Sequence, residues 1–172
     1  MTALVFVDTN IFVYAAGAPR TRKQLIASQW IDRLWKEQVG RTGIQVLNEM
    51  YVTLTRKVQP PLAANEAWDR ISAMFAWEPQ PLDTDVLMRA REIGQRHTLS
   101  WWDTLIVAAA QLQGCTVLLT EDLQDHAVYG SVTVHNPFAA GVSAATTDYS
   151  IVPAALSRHR SRGRPKRAAH QC

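Results

Sequence analysis

Three short apolar runs constrain what this chain can fold into more than any other feature of the sequence. Residues 4–7 read Leu-Val-Phe-Val, residues 116–120 read Thr-Val-Leu-Leu-Thr, and residues 132–135 read Val-Thr-Val-His. Apolar runs of this length are typical of strands buried on both faces of a parallel sheet. Because helix-like stretches separate them, the sequence predicts an α/β fold in which helices flank a mostly parallel central sheet.

The segments between these runs have the periodicity of helices. Apolar side chains recur at helical spacing in six of them, namely residues 11–16, 22–38, 48–58, 63–77, 83–97 and 102–113. Asp83 is expected to cap the fifth helix, and Gly114 to end the sixth. Residues 44–47 are predicted to form a short second strand, and Trp68, Ile71 and Phe75 are predicted to face the core.

Length and composition favour a single globular domain. The chain has 172 residues, of which 47% are hydrophobic and 19% charged. No apolar run reaches the roughly 20 residues of a membrane helix, and residues 1–10 lack the basic region of a signal peptide. Cys115 and Cys172 do not form a disulfide framework. We therefore expect a cytoplasmic protein with no membrane partner.

The positive charge of the chain is concentrated at one end. Residues 141–172 hold six basic residues and one acidic residue, whereas residues 1–140 hold 12 basic and 14 acidic ones. From about residue 141 the apolar periodicity also disappears. The sequence therefore predicts a domain over residues 1–140 and an Arg-rich, low-complexity, disordered tail over residues 141–172.

Four acidic residues stand where elements of the predicted fold begin or end. Asp8 directly follows the first strand, and Asp122 lies just past the run at residues 116–120. Asp103 opens the most apolar helix, and Glu49 lies at a predicted junction between a strand and a helix. Because ligands of open α/β sheets bind beyond the carboxyl ends of the strands, Asp8 and Asp122 are expected to converge there.

Clustered carboxylates favour binding of a divalent cation. Like charges raise each other's pKa values, and a bound cation offsets this repulsion. Oxygen ligands without a cluster of Cys and His suit Mg²⁺ or Mn²⁺ better than Zn²⁺. Mg²⁺ keeps several of its waters and combines one or two carboxylates with phosphate oxygens, which points to phosphodiester chemistry.

Several of these motifs together closely resemble the PIN domain. The resemblance extends in order over residues 3–138, and its ending is similar to that of VapC-type toxins from bacterial toxin–antitoxin pairs. The motifs that carry it are Val7-Asp8-Thr9-Asn10, Asn48-Glu49, Trp102-Asp103-Thr104-Leu105-Ile106, Leu119-Thr120-Glu121-Asp122-Leu123 and Val134-His135-Asn136-Pro137-Phe138.

The resemblance implies a three-layer α/β/α endoribonuclease that depends on Mg²⁺ or Mn²⁺ and is held inactive by a cognate VapB-type antitoxin. It implies cleavage of RNA to 5′-phosphate and 3′-hydroxyl ends, and a homodimer. By motif, the catalytic and metal-binding residues are Asp8, Glu49, Asp103 and Asp122. The supporting residues are Asn10 and Thr120, which would orient carboxylates or water, and Asp125 in an outer shell.

A purely structural role is the alternative at each acidic position. Asp8 and Asp103 suit helix N-caps, and a lone Glu49 on a helix is typical of a solvated surface group. Asp122 competes with Glu121 for the metal, and Glu121 is expected to face solvent.

Tryptophans raise two further questions. Trp101 and Trp102 can stack on RNA bases, but because neighbours on a helix point in different directions we expect one of them in the core. The helical face with Trp30 and Trp35 is a candidate dimer interface.

Other functions remain as alternatives. A two-component receiver domain needs a Lys after a late strand, yet no Lys occurs between Lys57 and Lys166. A haloacid-dehalogenase-type phosphatase needs a second Asp where Asn10 stands. Two alternatives are not separated by the sequence: a PIN fold that binds RNA or protein without turnover, and a housekeeping nuclease that is not a toxin.

Overall fold

The computed structural model describes residues 3–17 and 21–139, so the predicted tail at residues 141–172 lies outside the described residues. The described strands are β1 (Val5–Val7), β2 (Gly40–Arg41), β3 (Val117–Leu119), β4 (Val128–Tyr129) and β5 (Val132–His135). The α-helices are α1 (Thr9–Ala16), α2 (Arg22–Glu37), α3 (Ile44–Arg56), α4 (Ala64–Ala73), α5 (Thr84–Arg96) and α6 (Trp101–Leu112), and a 3-10 turn (Met74–Trp77) follows α4. No described helix is long and apolar enough to cross a membrane.

The strands form one sheet in the order β2-β1-β3-β5-β4. β1 pairs in parallel with β2 and β3, and β3 pairs in parallel with β5, whereas β4 is antiparallel to β5. This confirms the predicted mostly parallel sheet. Because β1, β3 and β5 run in one direction, their carboxyl ends meet at one edge of the sheet.

Helices cover the sheet in the three-layer α/β/α arrangement, and the core lies between the layers. All three residues of β1 are fully buried, as are Leu118 and Leu119 of β3. The predicted buried helix is also confirmed, since every residue of α6 from Thr104 to Ala110 is buried. Continuous apolar strands occur here because helices pack against both faces of the sheet.

The second strand is shorter and earlier than predicted. Residues 44–47 are the first turn of α3, and the strand that pairs with β1 is Gly40–Arg41. The prediction was wrong because the apolar run continues at helical spacing: Val46, Met50 and Leu54 lie on one buried face. A short apolar run alone does not distinguish a strand from the start of a buried helix.

The inward face of residues 63–77 also differs from the prediction. Trp68 and Phe75 are 54% and 49% exposed and pack edge-to-face on each other at the surface. Ile71 is buried as predicted, and Ala67, Met74 and Trp77 are buried with it. This segment therefore buries one of its tryptophans, Trp77, and leaves the other, Trp68, at the surface.

The ends of α5 and α6 follow local rules. Asp83 caps α5 as predicted, since its Oδ1 accepts a hydrogen bond from the backbone N of Val86 at 3.1 Å. Ser100 caps α6, and Gly114 adopts a φ of 69° just beyond it, a left-handed conformation that glycine adopts at low cost. These termini set where α6 begins and where the chain turns towards β3.

Gly40 is expected to tolerate no side chain. An added Cβ would lie 2.7 Å from ring carbons of the buried Trp77, so we expect Gly40→Ala to lower the free energy of unfolding by about 1–3 kcal/mol. The control is Gly94→Ala inside α5, where the nearest atom to a new Cβ is Thr104 Cγ2 at 3.6 Å. That change should raise stability by about 0.5–1 kcal/mol. Urea unfolding measures both, and a neutral Gly40→Ala would contradict the packing argument.

Candidate functional site

Asp8 occupies the carboxyl end of β1 and is almost completely buried, with 8% of its surface exposed. Its Oδ1 accepts a hydrogen bond from the backbone N of Thr9 at 2.6 Å, which makes Asp8 the N-cap of α1. Its Oδ2 accepts from Thr120 Oγ1 at 2.7 Å and from Asn10 Nδ2 at 3.5 Å. Asp8 therefore caps α1 and also lies at the end of β1, as the sequence predicted.

Asn10 joins Asp8 to Asp122. Its Nδ2 donates to Asp122 Oδ2 at 3.0 Å and to Thr120 Oγ1 at 3.0 Å, and Asp122 N donates to Thr120 Oγ1 at 3.2 Å. Asn10 Oδ1 is buried and has no hydrogen-bond partner among the described residues. We call Asp8, Asn10, Thr120 and Asp122 the strand-edge cluster, since all four lie beyond the carboxyl ends of β1 and β3.

Glu49 reaches this cluster from α3. It lies in the second turn of the helix rather than at the predicted junction between strand and helix. Its Oε2 accepts from Thr9 Oγ1 at 3.1 Å, and its Oε1 accepts from Gln45 Nε2 at 3.0 Å. The side chain is exposed and connects to Asp8 through the neighbouring Thr9.

Asp103 lies in the first turn of α6 and is held by the helix cap. Its Oδ2 accepts a hydrogen bond from Ser100 Oγ at 2.7 Å, and its backbone N donates a hydrogen bond to Ser100 Oγ at 3.1 Å. Gln45, which holds Glu49, also approaches the carbonyl oxygen of Trp102 at 3.5 Å. Gln45 therefore contacts both Glu49 and the residue that precedes Asp103, but no described hydrogen bond joins the Asp103 carboxylate to Asp8 or Asp122.

Two acidic residues near Asp122 have partners of their own. Glu121 was expected to face solvent, and this is wrong: its carboxylate accepts from the Tyr14 hydroxyl and pairs with Lys23. The Asp125 carboxylate accepts from the backbone N of Asn136 at 2.8 Å. No sequence pattern marks the Glu121 contacts, because they join the loop after β3 to α1 and α2.

The expectation that one of Trp101 and Trp102 lies in the core was also wrong. Trp101 and Trp102 are both exposed, by 47% and 62%, so neither packs in the core. Trp30, in contrast, has no exposed surface and cannot form part of an interface, whereas Trp35 is 38% exposed. Burial of Trp30 follows from its central position in α2, where Ala27 and Leu34 lie on the same buried face.

The charge of Asp8 is unfavourable where it lies. Its pKa is raised to about 6, mainly by burial and to a smaller extent by the neighbouring charges of Asp122 and Glu49, against the lowering effect of hydrogen bonds from Thr120 and Thr9. A cation beside Asp8 would offset both the lost solvation and the repulsion. The electrostatics of the strand-edge cluster therefore favour binding of a positive ion.

The types of ligand atom at this site suit Mg²⁺ or Mn²⁺, but the distances between the acidic side chains suit a metal ion less well. The donors are carboxylate oxygens together with the unpartnered Asn10 Oδ1, which are ligands that these ions prefer. Within residues 3–17 and 21–139, however, no three His, Cys, Asp or Glu side chains are close enough to hold a metal ion. Mg²⁺ is commonly bound by one or two carboxylates with water and substrate phosphate, and Asp8 and Asp122 are two carboxylates that contact the same Asn10 amide group.

The family model of the PIN domain matches residues 5–130. This chain belongs to the PIN domain family. The match spans most of the chain and includes β1, β3 and the four acidic residues between positions 8 and 122. The PIN fold thus accounts for the mostly parallel sheet and for the strand-edge cluster at its carboxyl edge.

The chain is similar to several solved structures. A toxin–antitoxin complex from Klebsiella pneumoniae has a TM-score of 0.57 and 20% identity, covering 78% of this chain and 98% of that chain. VapBC2 from Rickettsia felis, bound to a DNA fragment from its promoter, has a TM-score of 0.55 and 14% identity, covering 77% and 98%. VapC20 from Mycobacterium tuberculosis, a toxin that cleaves the sarcin–ricin loop, has a TM-score of 0.49 and 22% identity, covering 66% and 86%. No curated protein matches the chain significantly.

Replacing Asp8 by Asn should change how stability depends on pH. Because burial raises the folded-state pKa above the value of 3.8 for an unperturbed Asp, the protein is more stable when Asp8 is protonated and loses stability as the pH rises from 4 through 6. At about 1.4 kcal/mol per pKa unit, the loss is about 3 kcal/mol at neutral pH without a cation. Asp8→Asn lacks this loss, so its stability relative to the wild type should increase over that pH range.

Urea unfolding in EDTA at a series of pH values measures the effect. The control is Asp85→Asn, which changes an exposed carboxylate in the first turn of α5 and should show no such increase. A stability difference between Asp8→Asn and the wild type that stays constant from pH 4 to pH 7 would contradict the burial argument.

Proposed function

We propose that this PIN protein is an endoribonuclease that depends on Mg²⁺ or Mn²⁺ and hydrolyses RNA phosphodiester bonds. The observation that carries the proposal is the strand-edge cluster, in which one Asn10 amide group contacts the carboxylates of Asp8 and Asp122 at the carboxyl edge of the sheet. Both carboxylates lack a basic partner within hydrogen-bond distance among the described residues. Uncompensated acids at the ligand-binding edge of an α/β sheet suit a cation that also binds a phosphate.

Asp8 and Asp122 would hold the metal, and Asn10 and Thr120 would orient their oxygens. A divalent ion held there would lower the pKa of water and would stabilise negative charge on phosphate oxygens. The same hydrogen bonds that Asn10 and Thr120 donate fix which carboxylate oxygens face the open edge. This arrangement reduces the reorganisation that the carboxylates need when a substrate binds.

Glu49 and Asp103 would complete the acidic quartet from the helices. Glu49 is exposed and is held by Thr9 and Gln45, so it is positioned to accept a proton from an attacking water molecule. Asp103 is held by Ser100 through one oxygen, Oδ2. Its other oxygen, Oδ1, has no hydrogen-bond partner among the described residues and is available to a ligand.

The partner that the fold supports is an antitoxin of the VapB type, with this chain as the toxin of the pair. The proposal is supported by the similarity between this chain and two chains from toxin–antitoxin complexes, each of which is covered over 98% of its length. We also propose a homodimer, to which Trp35 contributes rather than Trp30. A cytoplasmic location is part of the same proposal, because the RNA substrate is there.

Two observations favour a second function, a PIN fold that binds RNA without cleaving it. No three acidic groups of the described chain are close enough to hold a metal ion, and Asp103 is hydrogen-bonded to its own helix cap. A housekeeping nuclease is a further alternative to a toxin. Two experiments separate these functions.

Cleavage of RNA should depend on the metal and on the acids. Purified protein is expected to cleave RNA with Mg²⁺ or Mn²⁺ and to stop in EDTA. Asp8→Asn and Glu49→Gln should each lower the rate by about 100-fold or more, since each removes charge next to the reacting phosphate. The controls are Asp85→Asn and Glu92→Gln, two exposed carboxylates of α5, which should remain within about twofold of the wild type on the same gel assay. Cleavage that survives EDTA or Asp8→Asn would contradict the metal site, and binding without cleavage would support the second function.

Expression in a bacterial host should separate a toxin from a housekeeping nuclease. We expect induced wild-type protein to arrest growth, and the Asp8→Asn variant to leave growth unchanged. Co-expression of a small open reading frame next to the gene should restore growth. Normal growth on induction of an enzyme that is active in vitro would contradict the toxin assignment and leave the nuclease assignment in place.

A further inference from the structure

Glu121, the residue next to Asp122, has a hydrogen-bond partner at each of its carboxylate oxygens. The Tyr14 hydroxyl donates to Oε1, and Lys23 Nζ donates to Oε2. Lys23 Nζ also donates to the Tyr14 hydroxyl at 3.0 Å, and it lies 4.5 Å from the centre of the Tyr14 ring and 5.2 Å from that of the Phe138 ring. We call Tyr14, Lys23 and Glu121 the Glu121 triad.

The contribution of this triad to stability is small. The side chains of Lys23 and Glu121 are 42% and 20% exposed, and ion pairs at a protein surface contribute about 0–1 kcal/mol. The triad does join three parts of the fold, because Tyr14 lies in α1, Lys23 in α2 and Glu121 in the loop after β3. Its main effect is therefore on where that loop lies.

The loop that carries Asp122 has few other polar attachments. No hydrogen bond between backbone groups is described for residues 121–123. Asp122 N donates to the Thr120 hydroxyl at 3.2 Å, and Leu123 packs half-buried against the core. The position of Asp122 therefore depends strongly on the side chains that hold the loop, including that of Glu121.

One face of α1 contacts both acidic residues of the loop. Asn10 and Tyr14 are four residues apart in α1 and lie on the same face of the helix. Asn10 Nδ2 donates to Asp122 Oδ2 at 3.0 Å, whereas the Tyr14 hydroxyl donates to Glu121. A shift of the loop by one residue would disrupt both contacts, so together they fix which acid lies beside Asp8.

The charges around Asp8 agree with this arrangement. Those of Asp122 and Glu49 contribute to its raised pKa, and that of Glu121 is not among the causes. Asp122 Oδ1 has no hydrogen-bond partner among the described residues, although Oδ2 accepts from an amide. Glu121 is the poorer ligand for a cation, because both of its oxygens are occupied and its charge is balanced by Lys23.

We propose that Tyr14 and Lys23 are positioning residues, which hold Glu121 so that Asp122, and not its neighbour, binds the metal ion. This inference rests on the metal site of the proposed function and adds two residues, on α1 and α2, that act on it through Glu121. Their effect on the cation is indirect. Removing either one frees the loop, and the cation then loses a correctly placed carboxylate.

The test measures the Kd of Mn²⁺ for the full chain without RNA, by isothermal titration calorimetry. Lys23→Met should weaken Mn²⁺ binding by about 10-fold, as is typical when an outer-shell partner of a metal ligand is removed. The sign is informative, because loss of a positive charge near a cation site would by charge alone tighten binding. Lys23→Arg keeps the charge and the donors and should lose less affinity than Lys23→Met.

Tyr14→Phe tests the other member of the triad without changing any charge. It keeps the ring that packs against Phe138 and removes only the hydroxyl. We expect Mn²⁺ binding to weaken by about 3- to 10-fold, which is equivalent to the loss of one hydrogen bond. Lys23→Met added to Glu121→Ala should cause little further loss, since both changes remove the same contact.

Lys36→Met and Tyr51→Phe are the matched controls. Lys36 is an exposed lysine of the same helix as Lys23, and the Tyr51 hydroxyl has no hydrogen-bond partner among the described residues. Each control should leave the Kd within about twofold of the wild type. Asp8→Asn removes a proposed ligand and should abolish Mn²⁺ binding. Thermal melts in EDTA check that each variant is folded.

The outcomes separate this inference from the proposed function. Unchanged or tighter Mn²⁺ binding by Lys23→Met would overturn the inference, and loss of binding in Asp8→Asn would at the same time leave the metal site in place. A full further loss when Lys23→Met is added to Glu121→Ala would also overturn it, because Lys23 would then act independently of Glu121. If the wild type binds no Mn²⁺, the metal site and this inference fail together.

Discussion

The Thr120 hydroxyl donates to Asp8 Oδ2 at 2.7 Å and accepts from Asn10 Nδ2 and from the backbone N of Asp122. A hydroxyl has one donor and two acceptor positions, so all of its hydrogen-bonding capacity is used. Thr120 itself has no exposed surface. The relative positions of Asp8 and Asp122 therefore depend on one buried side chain at the end of β3.

The Thr120 hydroxyl is held in place by the backbone hydrogen bonds between the parallel strands. β1 pairs with β3 from Val5 to Val7, and the pattern continues past both strands, since Asp8 N donates to the carbonyl of Leu119 at 3.1 Å and Thr120 N donates to that of His135 at 3.1 Å. The backbone thus fixes Asp8 and Thr120 side by side before any side chain contributes. The cost is a carboxylate in a buried position, and its pKa is raised to about 6 mainly because burial disfavours the charged form. Structures retain such unfavourable charges at sites where a ligand compensates them.

Much of the fold and part of the site follow from local patterns. β1, β3 and β5, the cap at Asp83 and the buried interior of α6 are where the apolar runs and the capping rules predict them. Asp8 and Asp122 converge as expected, because residues that follow parallel strands must meet at one edge. The start of α3 was missed, since Val46 and Leu47 suit a strand as well as a helix until the spacing of Met50 and Leu54 is considered. The exposed positions of Trp68 and Phe75 were missed because apolar residues alone do not say which helix face another helix covers.

The sequence by itself determined the class of fold and the kinds of residue at its functional edge, since strand runs, helix caps and acidic residues after strands are set by neighbours along the chain. Only the tertiary structure decided which side chains meet. The contact between Asn10 and Asp122 joins residues 112 positions apart, and that between Lys23 and Glu121 joins residues 98 positions apart. The exposure of Trp101 and Trp102 was also decided there, because whether a large apolar side chain is buried depends on what packs over it. No pattern confined to one helix contains that information.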